Sequence, residues 1–107
     1  MSYHFMRLIL MFDLPIVTKK QKRIYANFRK WLLQRGYLML QYSIYVKIFA
    51  NNDSLEQHKI VLKKNTPKEG QIRLITLTEK QFARMDIILG GKSNQEDKLT
   101  VDPFVHI

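Results

Sequence analysis

The feature that most restricts the fold is a short apolar segment near the start of the chain, residues 6–12, in which Arg7 is the one interruption. It stops at Asp13 and Leu14, and Pro15 then removes a backbone hydrogen-bond donor. A continuously apolar run of this length is typical of a β-strand that is covered on both faces. We therefore predict a central strand over residues 6–12.

A basic amphipathic helix is predicted after this strand. Thr18 with Gln21 three residues later is a capping-box pattern, and the helix can run to Arg35 before Gly36 ends it. At helical spacing one face is apolar and the other is basic. The apolar face carries Ile24, Tyr25, Phe28, Trp31 and Leu32, and the basic face carries Lys19, Lys22, Arg23, Arg29 and Lys30.

The middle of the chain combines strand and helix patterns. Residues 37–49 are rich in β-branched and aromatic side chains, which predicts two short strands or one strand kinked near Gln41. Asp53 with Glu56 starts a second predicted helix that extends to about Lys64.

The last third of the chain has shorter elements. We predict a strand over residues 71–77, a short helix over residues 79–85 and an apolar piece at residues 87–89. Residues 90–98 read as a polar loop and residues 99–105 as a final strand. The order is that of a ferredoxin-like α+β sandwich (βαββαβ) with an extra C-terminal strand, which makes residues 1–107 one domain. Its uncovered sheet face favours a homodimer.

The distribution of charge indicates the class of partner. The net charge is +9, and residues 14–52 hold eight basic side chains and no acidic one. Such a block attracts polyanions, so we expect nucleic acid as the partner, with an anionic membrane surface as the weaker alternative. The chain has no cysteine, which excludes disulfides and thiolate metal sites and fits a cytoplasmic location. No apolar run reaches the roughly 20 residues of a membrane helix.

Asp13 is the best candidate for chemistry, because it is the one acidic residue among the first 52 and follows the central strand. Magnesium is held by one or two carboxylates with water or phosphate oxygens, so two copies of Asp13 at a two-fold axis would suffice. The alternative is an ordinary turn aspartate before Pro15. Ser43 is either a phosphate contact or a polar strand position. The three histidines are scattered and read as structural or surface residues: His4, His58 and His106.

Four segments together resemble one family. They are Met-Arg-Leu-Ile-Leu-Met-Phe-Asp-Leu-Pro at residues 6–15, Arg-Gly-Tyr at 35–37, Gln-Tyr-Ser-Ile-Tyr at 41–45, read as a strand, and Thr-Glu-Lys-Gln-Phe at 78–82. In order and spacing the whole chain resembles the small CRISPR-associated adaptation proteins, a metal-dependent endoribonuclease family that partners the CRISPR integrase, and most of all its type II members.

The resemblance implies a homodimer whose sheets face each other and whose C-terminal strand adds to the partner's sheet. It implies a dimer that bridges integrase dimers beneath the duplex DNA to be inserted during spacer acquisition. It also implies a magnesium or manganese site at Asp13 as the catalytic residue. Lys47 departs from the family, where an acidic residue often stands, and this weakens the nuclease expectation more than the fold.

Three functions remain open. The first, which we favour, is a duplex-DNA scaffold for the integrase, and the second is a magnesium-dependent endonuclease. The third is an endoribonuclease or toxin-like RNA-binding protein that acts without an integrase. The nucleic-acid-binding residues expected for the scaffold are Lys19, Lys22, Arg23, Arg29, Lys30, Arg35, Ser43 and Lys47.

Overall fold

A computed structural model of the chain describes residues 5–91. The elements are β1 (Met6–Asp13), α1 (Lys19–Gln34), β2 (Leu38–Gln41), β3 (Ile44–Phe49), α2 (Asn52–Lys64), β4 (Gln71–Thr78) and α3 (Glu79–Ala83). The predicted α+β order β-α-β-β-α-β is confirmed. The predicted strand over residues 99–105 lies outside the described residues, as does most of the predicted loop over residues 90–98.

The four strands form one antiparallel sheet in the order β2-β3-β1-β4. In β1, Ile9 lies between Val46 of β3 and Ile75 of β4. The apolar segment at residues 6–12 is therefore the centre of the sheet, as predicted. At the far end of β1, Asp13 is paired with Gln71.

Alternate residues of β1 form the core beneath the two long helices. Leu8, Leu10 and Phe12 point to one face of the sheet and belong to the same buried cluster as the helix residues. From α1 and α2 that cluster takes Phe28, Leu32, Leu55 and Leu62. Leu8 and Leu10 are fully buried, so truncating either to Ala would destabilise the fold by about 2–5 kcal/mol.

The other face of the sheet, which we call the open face, carries the alternate set of side chains. On the three strands that contribute most to it these are Arg7, Ile9, Met11 and Asp13 (β1), Ile44, Val46 and Ile48 (β3), and Gln71, Arg73, Ile75 and Leu77 (β4). Arg7 is only 6% exposed. Its Nη2 donates to Glu79 Oε2 at 2.9 Å, its Nε also donates to Glu79, and its guanidinium lies 4.0 Å from the centre of the Phe82 ring. The one charge within the apolar segment is thus paired by α3.

The helix ends largely follow the predicted capping residues. Thr18 Oγ1 accepts the Gln21 N–H and Gln21 Oε1 accepts the Thr18 N–H, which confirms the capping box at α1. For α2 the predicted N-terminal residue was wrong, because the helix is capped two residues before Asp53. The N-cap is Asn51, whose Oδ1 accepts the Ser54 N–H at 2.8 Å, and Asp53 lies inside the first turn. An asparagine caps as well as an aspartate does, and it leaves the Asp53 charge beside the positive end of the helix.

The segment after β4 is less regular than predicted. The short helix ends at Ala83 rather than at residue 85, and the apolar piece at residues 87–89 forms no helix or strand. Ile88 and Leu89 are more than nine-tenths exposed. Two adjacent apolar side chains are therefore left in solvent at this end of the described chain.

Within residues 5–91 no helix is both long enough and apolar enough to cross a membrane.

Candidate functional site: a basic helix face and a strand-end carboxylate

The outer face of α1 is basic and solvent-exposed, as predicted. Its side chains lie opposite the buried Phe28 and Leu32. The predicted contacts on this face, all exposed, are Lys19, Lys22, Arg23, Arg29 and Lys30. None of them is in an ion pair, because the ion pairs among residues 5–91 join Arg7 to Glu79 and Lys59 to Glu56. The face therefore presents unneutralised positive charge.

Arg35 and Lys47 form a second basic group near the C-terminal end of α1. The Arg35 guanidinium lies 5.0 Å from the centre of the Trp31 ring, and Lys47 Nζ lies 5.2 Å from that of Phe49. The chain approaches Lys47 closely at Gly36, where a Cβ would stand 3.0 Å from Nζ. Burial lowers the pKa of Lys47, because an ammonium loses hydration there.

Ser43 does not lie on a strand. Tyr42 and Ser43 form the turn between β2 and β3, which confirms the prediction of two short strands within residues 37–49, whereas the interpretation of residues 41–45 as a strand is wrong. Ser43 has a φ of 66°, and its carbonyl oxygen accepts the Phe12 N–H at 3.1 Å. The alternation of side chains along β2 and β3 continues through this tight two-residue turn, which is why the sequence pattern concealed the position of the turn. Ser43 thus lies beside the end of β1, away from the alternating strand face where it was expected.

Two tyrosine hydroxyl groups meet at the turn that contains Ser43. Tyr42 belongs to the turn, and Tyr25 reaches it from α1. Tyr42 is 78% exposed. The pKa of Tyr25 is raised, first by burial and then by its hydrogen bond with the Tyr42 hydroxyl. These hydroxyls can donate hydrogen bonds at neutral pH, at the same end of β1 as Asp13.

Asp13 is exposed at the end of β1, where the sequence predicted it. It borders a recess of about 180 Å³ that is also lined by Met11, Phe12, Gln71 and Arg73. Within residues 5–91 no three His, Cys, Asp or Glu side chains are grouped closely enough to hold a metal ion. One carboxylate in a recess that is also lined by Arg73 is a poor magnesium site. The described residues of a single chain therefore do not fit a metal ion.

His58 is a residue whose position the sequence interpretation missed. Its Nε2 lies 2.7 Å from the Tyr37 hydroxyl oxygen, and its ring packs against Trp31, Tyr37 and Phe49. The available signal was helical spacing, because Leu55, His58 and Leu62 share the inner face of α2. The pKa of His58 is lowered by burial and then by the charges of Lys47 and Arg35. Burial also raises the pKa of Tyr37.

Comparison with known proteins gives a consistent result. The family described as "CRISPR associated protein Cas2" matches residues 6–85. A protein of Streptococcus mutans serotype c, named CRISPR-associated endoribonuclease Cas2, is 49% identical over 87 residues, covering 81% of this chain and 79% of that protein. A protein of the same name from Acidovorax ebreus is 44% identical over 94 residues, covering 88% and 92%. One from Treponema denticola is 38% identical over 100 residues, covering 90% and 99%. With β1, both long helices and β4 inside the matched segment, the chain belongs to the Cas2 family of CRISPR-associated proteins.

Proposed function

We propose that this chain is a duplex-DNA-binding scaffold in CRISPR spacer acquisition, working as a homodimer with the CRISPR integrase. The observation that carries the proposal is the outer face of α1, which holds five exposed cations without an ion pair. A face of this kind binds phosphates, and phosphate contacts supply most of the affinity in binding that ignores sequence.

The position of the charges on α1 supports an anionic ligand. The first turn contains Lys19, Lys20 and Lys22 and no acidic residue. The N-terminal end of a helix carries partial positive charge, so each cation there is unfavourable by about 0.3–1 kcal/mol. A bound phosphate would relieve this repulsion. The arrangement is costly for stability alone and favourable for a chain that binds a polyanion.

The aromatic residues of α1 favour contact with the DNA backbone rather than with bases. Phe28 is buried, and Tyr25 and Trp31 pack against the same core. Phe12 meets both Tyr25 and Phe28 in edge-to-face contacts with ring centres 5.4 and 5.6 Å apart. Side chains held in this way are not available to stack on bases, which is how single-stranded nucleic acid is usually held. The expected ligand is therefore a duplex bound through its phosphates.

A second copy of the chain is the expected cover for the open face. Ile9 and Val46 of that face are already buried, but Ile75 is 45% exposed, and Ile88 and Leu89 beyond α3 are almost fully exposed. Short chains gain stability when such surfaces are buried in a symmetric dimer. A two-fold axis on the open face would also bring two Asp13 carboxylates toward each other, since Asp13 belongs to that face.

A salt titration tests the duplex proposal. The binding constant for DNA would be measured across salt concentrations with two duplexes of equal length and different sequence. Log affinity falls with log salt by about 0.9 for each phosphate neutralised, so Lys19→Ala with Lys22→Ala should flatten the slope. The loss of affinity should be the same for both duplexes, because phosphate contacts do not depend on the base sequence.

The matched control removes equal charge from another helix. Lys63→Ala with Lys64→Ala, at exposed positions in the last turn of α2, should flatten the slope less. Equal effects of the two double variants would contradict the assignment to α1. A strong preference for one of the duplexes would contradict a sequence-blind scaffold.

Light scattering and copurification test the assembly. Wild type should have a dimer mass at micromolar concentration, and deletion of residues 99–107 should weaken the dimer. Coexpression with the CRISPR integrase should yield one complex that protects duplex DNA. A monomer, or a dimer indifferent to the deletion, would contradict the arrangement. Failure to copurify would favour an RNA-binding protein that acts without an integrase.

The name that the relatives carry supports a second candidate, a metal-dependent endoribonuclease. In this chain it would use Asp13 from two copies, with magnesium or manganese supplying charge stabilisation and an activated water. Asp13 is exposed and borders its recess, and Gln71 is a neutral polar residue that lines the same recess. Because Arg73 lines the same recess, an RNA phosphate has a cation beside the carboxylate.

A further inference from the structure

Three cationic or protonatable side chains meet around one aromatic cluster where α1, β3 and α2 come together. Lys47 and His58 both contact the Phe49 ring, with Lys47 Nζ 5.2 Å and the His58 ring 5.1 Å from its centre. Arg35 and His58 both contact the Trp31 ring, at 5.0 and 6.4 Å. His58 thus shares one aromatic ring with Lys47 and another with Arg35, and the charges of both side chains act on it.

No carboxylate in the described chain neutralises this group. The two ion pairs among residues 5–91 leave out Arg35, Lys47 and His58. Lys47 and His58 are both half-buried. Like charges brought together in a partly dry site repel each other, which destabilises the free protein. Such a group is stable when an anion sits among its members.

We infer that Arg35, Lys47 and His58 form one phosphate-binding site, in which His58 carries a proton while a phosphodiester of the duplex is bound. The inference rests on the proposed binding of duplex DNA and adds to it a residue and a protonation step. Arg35 and Lys47 supply permanent charge, and His58 supplies a charge that depends on the ligand.

The hydrogen bond with Tyr37 makes the protonation step feasible. The buried Tyr37 hydroxyl lies 2.7 Å from His58 Nε2, and a phenol can both donate and accept. When neutral His58 carries its hydrogen on Nδ1, the Tyr37 O–H donates to Nε2, and when His58 is protonated, the Nε2–H donates to the Tyr37 oxygen. The ring therefore gains its proton without losing its partner. The Nδ1–H, which has no partner among the described residues, is the donor left for a phosphate oxygen.

The surrounding charges determine the direction of the effect. In the free protein Arg35, from the end of α1, and Lys47, from β3, disfavour a proton on His58, and Tyr37 is neutral. On α2 itself the nearest charges in sequence are Glu56 and Lys59, which pair with each other at 2.9 Å. A phosphate bound between Arg35, Lys47 and His58 reverses the sign of the electrostatic potential at the His58 ring and therefore favours its protonation. Binding is then accompanied by proton uptake.

Duplex affinity measured at several pH values tests this inference. Wild-type protein should bind duplex more tightly as pH falls from about 8 to about 5.5, by up to roughly tenfold per pH unit for each His58 that contacts a phosphate. The salt slope at the lower pH should be steeper by about 0.9 for each such contact. His58→Gln, whose amide can still bond to Tyr37, should remove both effects, so that its affinity and its salt slope no longer change as the pH falls. His4→Gln is the matched control and should retain both effects.

A second measurement does not depend on a variant. In an NMR titration of the wild type, the midpoint of the His58 ring signal should move to higher pH when duplex is added. An unmoved midpoint, or pH dependence that survives in folded His58→Gln protein, would overturn this inference and leave duplex binding through α1 intact. Absence of salt-dependent duplex binding at every pH would overturn the proposed function and this inference together.

Discussion

Gly70 lies directly against the backbone of Asp13. A Cβ at Gly70 would stand 2.5 Å from the Asp13 carbonyl oxygen and 2.8 Å from Leu14 Cδ2, and the φ of Gly70 is +97°. The turn between α2 and β4 is thereby packed onto the end of β1, where the candidate carboxylate is. The contact joins backbone to backbone, so a side-chain movement cannot relieve it.

Gly70→Ala should therefore destabilise the fold by about 2–3 kcal/mol in a denaturant titration, through the combination of backbone strain and the collision with Asp13. Gly90→Ala is the matched control, because Gly90 has a φ of +90° and a Cβ there would have no atom within 4 Å of it. It should lose about 1 kcal/mol, which measures strain alone. Equal losses would show that the close approach to Asp13 is unimportant.

The Arg7–Glu79 pair should contribute more than an ordinary surface ion pair. Arg7 is buried on the open face, and Glu79 holds it from α3. Glu79→Gln should destabilise the fold by about 1–2 kcal/mol, because it leaves a buried guanidinium without a counter-charge. Arg7→Met combined with Glu79→Gln should be less destabilising than the sum of the single changes.

The Lys59–Glu56 pair provides the comparison. It lies on the surface of α2 at a spacing of three residues, and Glu56→Gln should cost about 0.5 kcal/mol or less by the same denaturant titration. A similar loss in Glu56→Gln and Glu79→Gln would mean that burial of Arg7 does not strengthen its pairing.

The sequence predicted the elements whose local and tertiary preferences agree. The apolar segment at residues 6–12 is the central strand of the sheet. The capping box at Thr18 and the glycine at position 36 mark the two ends of α1. Two short strands with a break near Gln41 were one of the two predicted alternatives, but the place of the turn at Tyr42 and Ser43 was hidden, because the side-chain alternation on either side of it has the same period as a continuous strand. At α2, Asn51 and Asp53 are both good caps, and composition alone could not choose between them.

The site was predicted in part for a similar reason. Charge and helical spacing are properties of the sequence, so the exposed face from Lys19 to Lys30 followed directly. Arg35 and Lys47 were also expected to bind nucleic acid, but their grouping with His58 was not predicted, because it depends on β3 and α2 meeting at the end of α1 and on the ring contacts of Trp31 and Phe49. Residues separated by 12 and 11 positions carry no shared pattern.

Asp13→Ala should abolish any metal-dependent cleavage of RNA or DNA, with a loss of about 100-fold or more, while the free energy of unfolding changes by no more than about 0.5 kcal/mol. The reason is that Asp13 is exposed and has no ion-pair partner among residues 5–91. Cleavage would be followed with magnesium, with manganese and with chelator, and duplex affinity should stay nearly intact. Asp86→Ala, another exposed aspartate, is the control and should cleave as the wild type does.

Cleavage by Asp13→Ala protein at the wild-type rate would assign the activity to other residues or to a contaminant. Loss of cleavage together with loss of the dimer would instead indicate a structural role at the subunit contact.

The stability of the free protein should depend on pH through His58. Its pKa is lower in the folded chain than the ordinary value of about 6.5, because the ring is half-buried and faces Lys47 and Arg35. Between the lowered folded value and about 6.5, the unfolded chain therefore binds more protons than the folded chain does. The free energy of unfolding then rises with pH across this window. The contribution of His58 is complete above about pH 6.5, and it is lost as the pH falls toward the folded pKa.

Denaturant titrations of the wild type at about pH 5, 6, 7 and 8 should show this loss on the acid side. In His58→Gln protein the dependence should be shallower, and in His4→Gln it should match the wild type. Lys47→Met should also make it shallower, because removing the stronger of the two repelling charges raises the folded pKa toward the unfolded one. Added duplex should also make the pH dependence of the wild-type free energy of unfolding shallower, since a phosphate beside His58 cancels that repulsion. A His58→Gln profile as steep as that of the wild type would show that the acid sensitivity arises at another group.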